Sequence, residues 1–173
     1  MQATDAAVFC QQSLPYLYRI LARNGSEGAI CLKPHLQEVT DALVTALGSP
    51  EQAVRMVHTG GDCMVLTRQV QPIMLILCEI FINAMKYAHP TGVPLIMVTD
   101  CTVSADGRLV LTISDDGVGL PEGFDPSYGG MGFKVMRSLA AEIGGELQIL
   151  STHLGLTFRL SLPASAMAGA KLA

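Results

Sequence analysis

The stretch that decides the fold is EIFINAMKYA, residues 79–88, which ends a long apolar segment. Glu79 and Asn83 are four residues apart and Asn83 and Lys86 three apart, so on a helix all three share one face. The remaining faces carry apolar side chains that need a core. The pattern predicts a helix over 72–88 that Pro72 opens. A polar stripe is usually just a solvated face, but so few aligned polar residues on an apolar helix favour a functional one.

Two glycine-containing motifs follow in chain order. DDGVG, residues 115–119, comes after a strand rich in β-branched residues, and GMGF, residues 130–133, comes before a helix. Asp115 can accept a hydrogen bond from the exocyclic amine of adenine, and Gly117 and Gly119 let the backbone turn tightly beside the base. Amides at a helix start attract phosphate, which gives a role to Gly130 and Gly132. Each motif alone is more often an ordinary turn, but their order and contexts together predict an ATP site.

The polar residues of the first helix supply the rest of that site. Asn83 offers a neutral oxygen to Mg²⁺, an ion that keeps waters and binds substrate phosphates, so one protein ligand can suffice. Lys86 can meet a phosphate as a point charge. Glu79 can orient or deprotonate the attacking group through a water. Residues 120–130, with two prolines and several glycines, read either as a lid over the phosphates or as a plain connector.

Composition excludes several other classes of function. The 173-residue chain has a net charge of −4, which argues against nucleic acid as a partner. The apolar run from Ile73 to Cys78 is stopped by Glu79, so no transmembrane helix is expected, and no secretion leader is visible. The five scattered cysteines favour reduced thiols in the cytoplasm. The glycine spacing fits neither GxGxxG nor GxxxxGK[ST], which disfavours Rossmann and P-loop sites.

The order of elements predicts an α+β fold. Helices are expected over 5–23, 34–47, 72–88 and 132–143, and strands over 53–58, 64–66, 95–103, 109–114, 146–150 and 156–162. Asp106-Gly107 predicts a hairpin between two of the strands. A two-layer sandwich, with a mixed and largely antiparallel sheet covered by helices on one face, satisfies these patterns. We expect a helical segment at 1–28, one domain at 29–165, and a tail at 166–173 whose last residues resemble a vector linker.

The three motifs together resemble the GHKL ATPase superfamily with its Bergerat fold, and within it the catalytic domain of bacterial sensor histidine kinases of the HisKA_2/HWE type. The N box is 79–88, the G1 box 115–119 and the G2 box 130–132; DDGVGLPEGFDP and NAMKYAHP are especially similar. The resemblance implies that Asn83 holds Mg²⁺, that Asp115 binds adenine, and that Lys86 and Tyr87 line the nucleotide. It further implies two protein partners, a phosphoacceptor histidine domain and a response regulator.

The chain departs from the family pattern at two points. The last motif usually reads Gly-Thr-x-Phe, whereas this chain has GLTF at 155–158, so the family's threonine is either displaced to Thr157 or missing. The acceptor-histidine motif is absent, so the histidine must lie elsewhere, and residues 5–23 resemble the end of a dimerisation helix through which a homodimer would form. Two alternatives stay open: an anti-sigma-type serine kinase, and a degenerate docking or phosphorelay module without transfer activity.

Overall fold

The computed structural model describes residues 28–49, 52–89 and 93–163. The elements run in the order β1 (Ala29–Cys31), α1 (Leu32–Leu47), β2 (Val54–Gly60), β3 (Met64–Leu66), α2 (Thr67–Tyr87), β4 (Leu95–Val103), β5 (Leu109–Asp115), a 3₁₀ turn (Pro126–Tyr128), α3 (Met131–Glu142), β6 (Glu146–Thr152) and β7 (Gly155–Leu162). The helix predicted over 5–23 and the tail at 166–173 lie outside the described residues.

A five-stranded mixed sheet forms one layer, in the order β2-β4-β5-β7-β6. β2 and β4 pair in parallel, and every other neighbouring pair is antiparallel. The hairpin at 106–107 joins β4 to β5 as predicted, and a second hairpin joins β6 to β7. The α+β prediction with a largely antiparallel sheet is therefore confirmed.

The core lies between one face of the sheet and the helices. In β7, Phe158, Leu160 and Leu162 are buried and alternate with more exposed residues, so the predicted alternation is correct. On α1 the buried stripe is Leu32, Leu36, Val39 and Leu43. α2 contacts both α1 and α3, which places it at the centre of the helical layer.

The helix α2 begins at Thr67, so the prediction that Pro72 opens it is wrong. Thr67 donates both its N–H and its hydroxyl to the Gly28 carbonyl at 2.9 Å, and the Leu66 N–H donates to Gln69 Oε1 at 2.9 Å. These contacts satisfy the N–H groups of Leu66 and Thr67, and so allow the helix to start five residues before Pro72. The helix then accepts Pro72 in its second turn, at the loss of one backbone hydrogen bond.

Two smaller differences concern the first strands. Ala29–Cys31 is a strand that the sequence did not predict, and it pairs with β3 in a separate two-stranded sheet. In this sheet Ile30 lies opposite Val65, and Val65 belongs to the core against which Ile30 packs. The segment 120–130 is irregular as expected, apart from its single 3₁₀ turn.

The helix α2 is long and apolar enough to cross a membrane by length and composition alone. Most of it is buried inside this fold, however, and the core helix of a globular domain passes the same test. The apolar sequence of α2 is thus accounted for by its central position in the core.

A buried polar network joins α1 to the sheet. The Thr40 hydroxyl is 2.9 Å from the Leu36 carbonyl oxygen, to which it can only donate, so His58 Nε2, at 3.1 Å, donates to Thr40. His58 Nδ1 then accepts from the Thr99 hydroxyl at 2.7 Å. Thr40 and Thr99 are fully buried, and the neutral imidazole satisfies both of their hydroxyls.

Candidate nucleotide-binding site

One cavity of about 630 Å³ opens between α2, the end of β5, the segment 118–133 and β7. Its volume is in the range of pockets that bind small molecules. Asn83, Tyr87, Asp115, Gly119, Gly130 and Gly132 all line it. All three motifs therefore contribute residues to one cavity.

Asp115 ends β5 and lies at one side of the cavity. Its Oδ1 accepts the Gly117 N–H at 3.0 Å and the Leu156 N–H at 3.2 Å. Burial raises the pKa of Asp115 above its ordinary value, and these two hydrogen bonds oppose that rise. With Oδ1 held by two backbone donors, Oδ2 is the oxygen left to accept from a ligand.

Two glycines shape the turn that follows Asp115. Gly117 is buried against the end of α2, where an added Cβ would lie 2.6 Å from the Ala88 Cα. Gly119 has a φ of +73°, and an added Cβ would overlap the Thr152 carbonyl oxygen. Only glycine satisfies both the close approach at 117 and the left-handed conformation at 119.

The polar stripe of α2 faces the start of α3. Glu79 and Asn83 are half-buried, and a Cβ placed on Gly132 would be 3.1 Å from Glu79 Oε2 and 3.6 Å from Asn83 Nδ2. Burial raises the pKa of Glu79, and the nearby positive charge of Lys86 opposes that rise. The structure thus brings Glu79 and Asn83 close to Gly132, which lies two residues after Gly130 at the helix start.

Four of the predicted site residues do not line the cavity: Glu79, Lys86, Gly117 and Thr157. Lys86 is close enough to Glu79 to affect its pKa, but it does not line the cavity. Thr157 pairs with Ser114 and Leu150 in the sheet and does not line the cavity, whereas its neighbours Leu156 and Phe158 do. In a strand, adjacent side chains point to opposite faces, which separates Thr157 from the two residues beside it.

Sequence reasoning missed the apolar part of the site. Phe133 stands between Phe124 and Phe158, with ring centroids 5.9 and 6.4 Å away. These rings, with Ile80, Ala84 and Leu156, give the cavity a mostly apolar wall suited to a planar base. Alternation along β7 could have identified Leu156 and Phe158, but no sequence signal indicates how the three rings meet.

The donor set fits a magnesium ion that arrives with phosphates better than one held by protein alone. No cluster of three His, Cys, Asp or Glu side chains capable of holding a metal occurs in the described ranges. Asn83 supplies one amide oxygen at the cavity wall, beside the carboxylate of Glu79. Mg²⁺ typically uses such a sparse set when substrate phosphates complete its octahedron.

The fold and the site define a nucleotide-binding domain of the GHKL type, and comparison with known proteins agrees. Residues 69–166 match the family described as histidine kinase-, DNA gyrase B-, and HSP90-like ATPase, which covers more than half of the chain. The chain therefore belongs to this family.

Curated relatives include a histidine kinase and a nitrate/nitrite sensor protein. The chain is 29% identical over 92 residues to blue-light-activated histidine kinase 2 of Erythrobacter litoralis, and 33% identical over 91 residues to the nitrate/nitrite sensor protein NarQ of Escherichia coli. These matches cover 53% and 50% of this chain, but only 27% and 15% of the relatives. The chain thus corresponds to a small part of each.

Solved structures show the same fold. The histidine kinase domain of the E. litoralis EL346 blue-light-activated kinase superposes with a TM-score of 0.78 at 24% identity, over 92% of this chain and 80% of that one. The Acinetobacter baumannii histidine kinase AdeS gives a TM-score of 0.63 at 18% identity, over 91% and 80%. The fold is therefore that of histidine kinase catalytic domains, as the sequence motifs predicted.

Proposed function

We propose that this chain is the ATP-binding catalytic domain of a bacterial, cytoplasmic two-component histidine kinase. In this proposal it binds Mg-ATP and passes the γ-phosphoryl group to a histidine on a phosphoacceptor domain, from which a response regulator receives it. The observation that carries the proposal is the convergence of Asn83, Asp115, Gly119 and Gly132 on one cavity. Membership of the ATPase family and likeness to sensor kinases support it.

Adenine would occupy the side of the cavity where Asp115 meets the apolar wall. The free Oδ2 of Asp115 accepts from the exocyclic amine, while Leu156 and Phe158 contact the ring. A carboxylate at this position repels the O6 of guanine, which is an acceptor. The proposal therefore includes selectivity for adenine over guanine.

The phosphates would extend from there toward α3 and the polar stripe of α2. Amides at the start of α3, near Gly130 and Gly132, would receive phosphate oxygens. Asn83 would hold Mg²⁺, which supplies charge neutralisation when bound, and Glu79 would orient the attacking group through a water. The chain's own contribution is positioning and electrostatic stabilisation, as in phosphoryl transfer generally.

Phosphotransfer is tested by mixing the chain with [γ-³²P]ATP, Mg²⁺ and a dimerisation domain that contains the acceptor histidine of a HisKA_2-type kinase. Phosphate that is acid-labile and alkali-stable on that domain supports histidine transfer. Acid-stable phosphate on a protein target would instead indicate a serine kinase. Bound ATP with no transfer to any acceptor would indicate the docking role.

A further inference from the structure

We propose that His89 is a positioning residue of the nucleotide site. Its hydrogen bond to Asp116 ties the end of α2 to the turn that follows Asp115, and so aligns the base-binding carboxylate with the polar stripe of α2. This inference rests on the proposed function, because it assigns His89 a part in the affinity for ATP.

The bond itself is short and partly shielded from water. His89 Nε2 lies 2.9 Å from Asp116 Oδ1, and the two side chains are 13% and 41% exposed. The same Oδ1 accepts the Ile96 N–H at 2.9 Å, and the Asp116 N–H donates to the Ile96 carbonyl at 3.2 Å. Asp116 is thus anchored to β4, and His89 is the side chain that connects this anchor to α2.

Backbone contacts at the neighbouring residues bring the end of α2 close to the turn that follows Asp115. The Val118 N–H donates to the Ala88 carbonyl at 2.9 Å, which satisfies one of the free carbonyls at the end of α2. Gly117 packs directly on Ala88. The turn at 116–118 therefore lies against residues 88–89, with one backbone bond and one side-chain bond across the contact.

This junction joins the two halves of the cavity. α2 carries Asn83 and Tyr87 on one side, while Asp115 and Gly119, which flank the turn at 116–118, lie on the other. Without the His89 bond, the Val118–Ala88 backbone bond still joins the halves, but the direction of the Asp115 carboxylate is less fixed. A site that must be preorganised loses affinity when such a supporting contact is removed.

Electrostatics point the same way. Burial is the main reason that the pKa of Asp115 is raised; the charge of Asp116 adds to that rise and His89 opposes it. His89 Nε2 is hydrogen-bonded to the carboxylate that follows Asp115 in the sequence. Neither His89 nor Asp116 lines the cavity, so both act through Asp115.

Two amide side chains of different length at position 89 test the proposal. Glutamine places its amide nitrogen near the position of Nε2, whereas asparagine reaches only about as far as Nδ1. We expect His89→Asn to weaken ATP binding about three- to tenfold, measured by calorimetry on the full 173-residue chain with Mg²⁺. His89→Gln should bind within about twofold of the parent chain, and His153→Ala, at the exposed β6–β7 turn, serves as the matched control.

A double-mutant cycle separates this role from a direct contact with ATP. Asp116→Ala should also weaken binding, and adding His89→Asn to it should cause no further loss. Asp116→Ala provides the same test if His89→Asn does not fold. The proposal would be overturned if His89→Asn bound ATP with unchanged affinity, or if His89→Asn and His89→Gln lost affinity equally. Additive losses of affinity in the double-mutant cycle would also overturn it.

The outcomes for His89 and for the proposed function are distinguishable. A folded parent chain that binds no ATP contradicts the proposed function. A parent chain whose ATP binding is abolished by Asp115→Asn but unaffected by His89→Asn supports the function and rejects only the role of His89.

Discussion

The backbone N–H of Leu156 donates a 3.2 Å hydrogen bond to Oδ1 of Asp115. Leu156 immediately precedes Thr157 in the strand β7. This strand therefore supports the Asp115 carboxylate through its backbone. A backbone donor does not depend on the side chain at that position. The altered GLTF motif is therefore compatible with the base-binding role proposed for Asp115.

Replacing Asp115 with asparagine should separate binding from stability. The amide oxygen can still accept from Gly117 and Leu156, but an NH₂ group then faces the donor amine of adenine. We expect ATP affinity to fall at least tenfold. Since burial raises the pKa of Asp115, the ionised carboxylate is disfavoured by the fold at neutral pH, and the melting temperature without ATP should rise. Calorimetry gives the ATP affinity of this variant, and thermal denaturation gives its melting temperature. A fall in both the affinity and the melting temperature would contradict this account.

Alanine substitutions at two left-handed glycines should distinguish steric overlap from backbone strain. Gly119 and Gly123 have φ values of +73° and +77°, but an added Cβ would overlap Thr152 only at 119 and would meet nothing within 4 Å at 123. We expect Gly123→Ala to cost about 1 kcal/mol of unfolding free energy and Gly119→Ala at least about 1 kcal/mol more. Urea denaturation measures both, and equal costs would refute the predicted overlap.

The strand β7 allows a test of which neighbouring residue serves the site. Because Leu156 lines the cavity and Thr157 does not, Leu156→Ala should weaken ATP binding and lower the unfolding free energy by about 2 kcal/mol or more. Thr157→Ala should leave ATP affinity within about twofold. Titration of ATP into both variants measures these affinities. A larger loss of affinity in Thr157→Ala would restore the role that family resemblance assigned to Thr157.

Sequence alone was sufficient for the fold, and most of the residues that it singled out line one cavity in the structure. Period-2 alternation in β7, the Asp106-Gly107 hairpin and the aligned stripe of α2 are local patterns, and each was present as predicted. The start of α2 was not predictable in this way, because the Thr67 bonds go to Gly28, which is distant in sequence. Likewise, the connection between His89 and Asp116 spans 27 residues and leaves no periodic signal.

The buried network around His58 should make stability depend on pH. Burial lowers the pKa of His58 below its ordinary value; Asp41 opposes this shift and Lys33 adds to it. Below about pH 6.5 His58 is therefore protonated in the unfolded chain but still neutral in the folded chain. The stability that neutral His58 contributes above this pH is lost as pH falls through the pKa of the folded state.

The comparison between the parent chain and His58→Gln isolates that contribution. His35 has a pKa lowered by burial as well, whereas the raised pKa values of Glu79 and Asp115 act in the opposite direction. Urea denaturation between pH 5 and 8, without ATP, should show that the parent chain loses more stability on acidification than His58→Gln. Parallel curves would show that His58 does not titrate on unfolding.

The most direct test of the central claim is a titration of ATP into the folded chain, with and without Mg²⁺, for the parent, Asn83→Ala and Asp115→Asn. We predict saturable binding by the parent that Mg²⁺ strengthens. Asn83→Ala should lose the enhancement by Mg²⁺ and keep selectivity for ATP over GTP, while Asp115→Asn should lose binding in both conditions. Binding by all three proteins with the same affinity and the same response to Mg²⁺ would contradict the account.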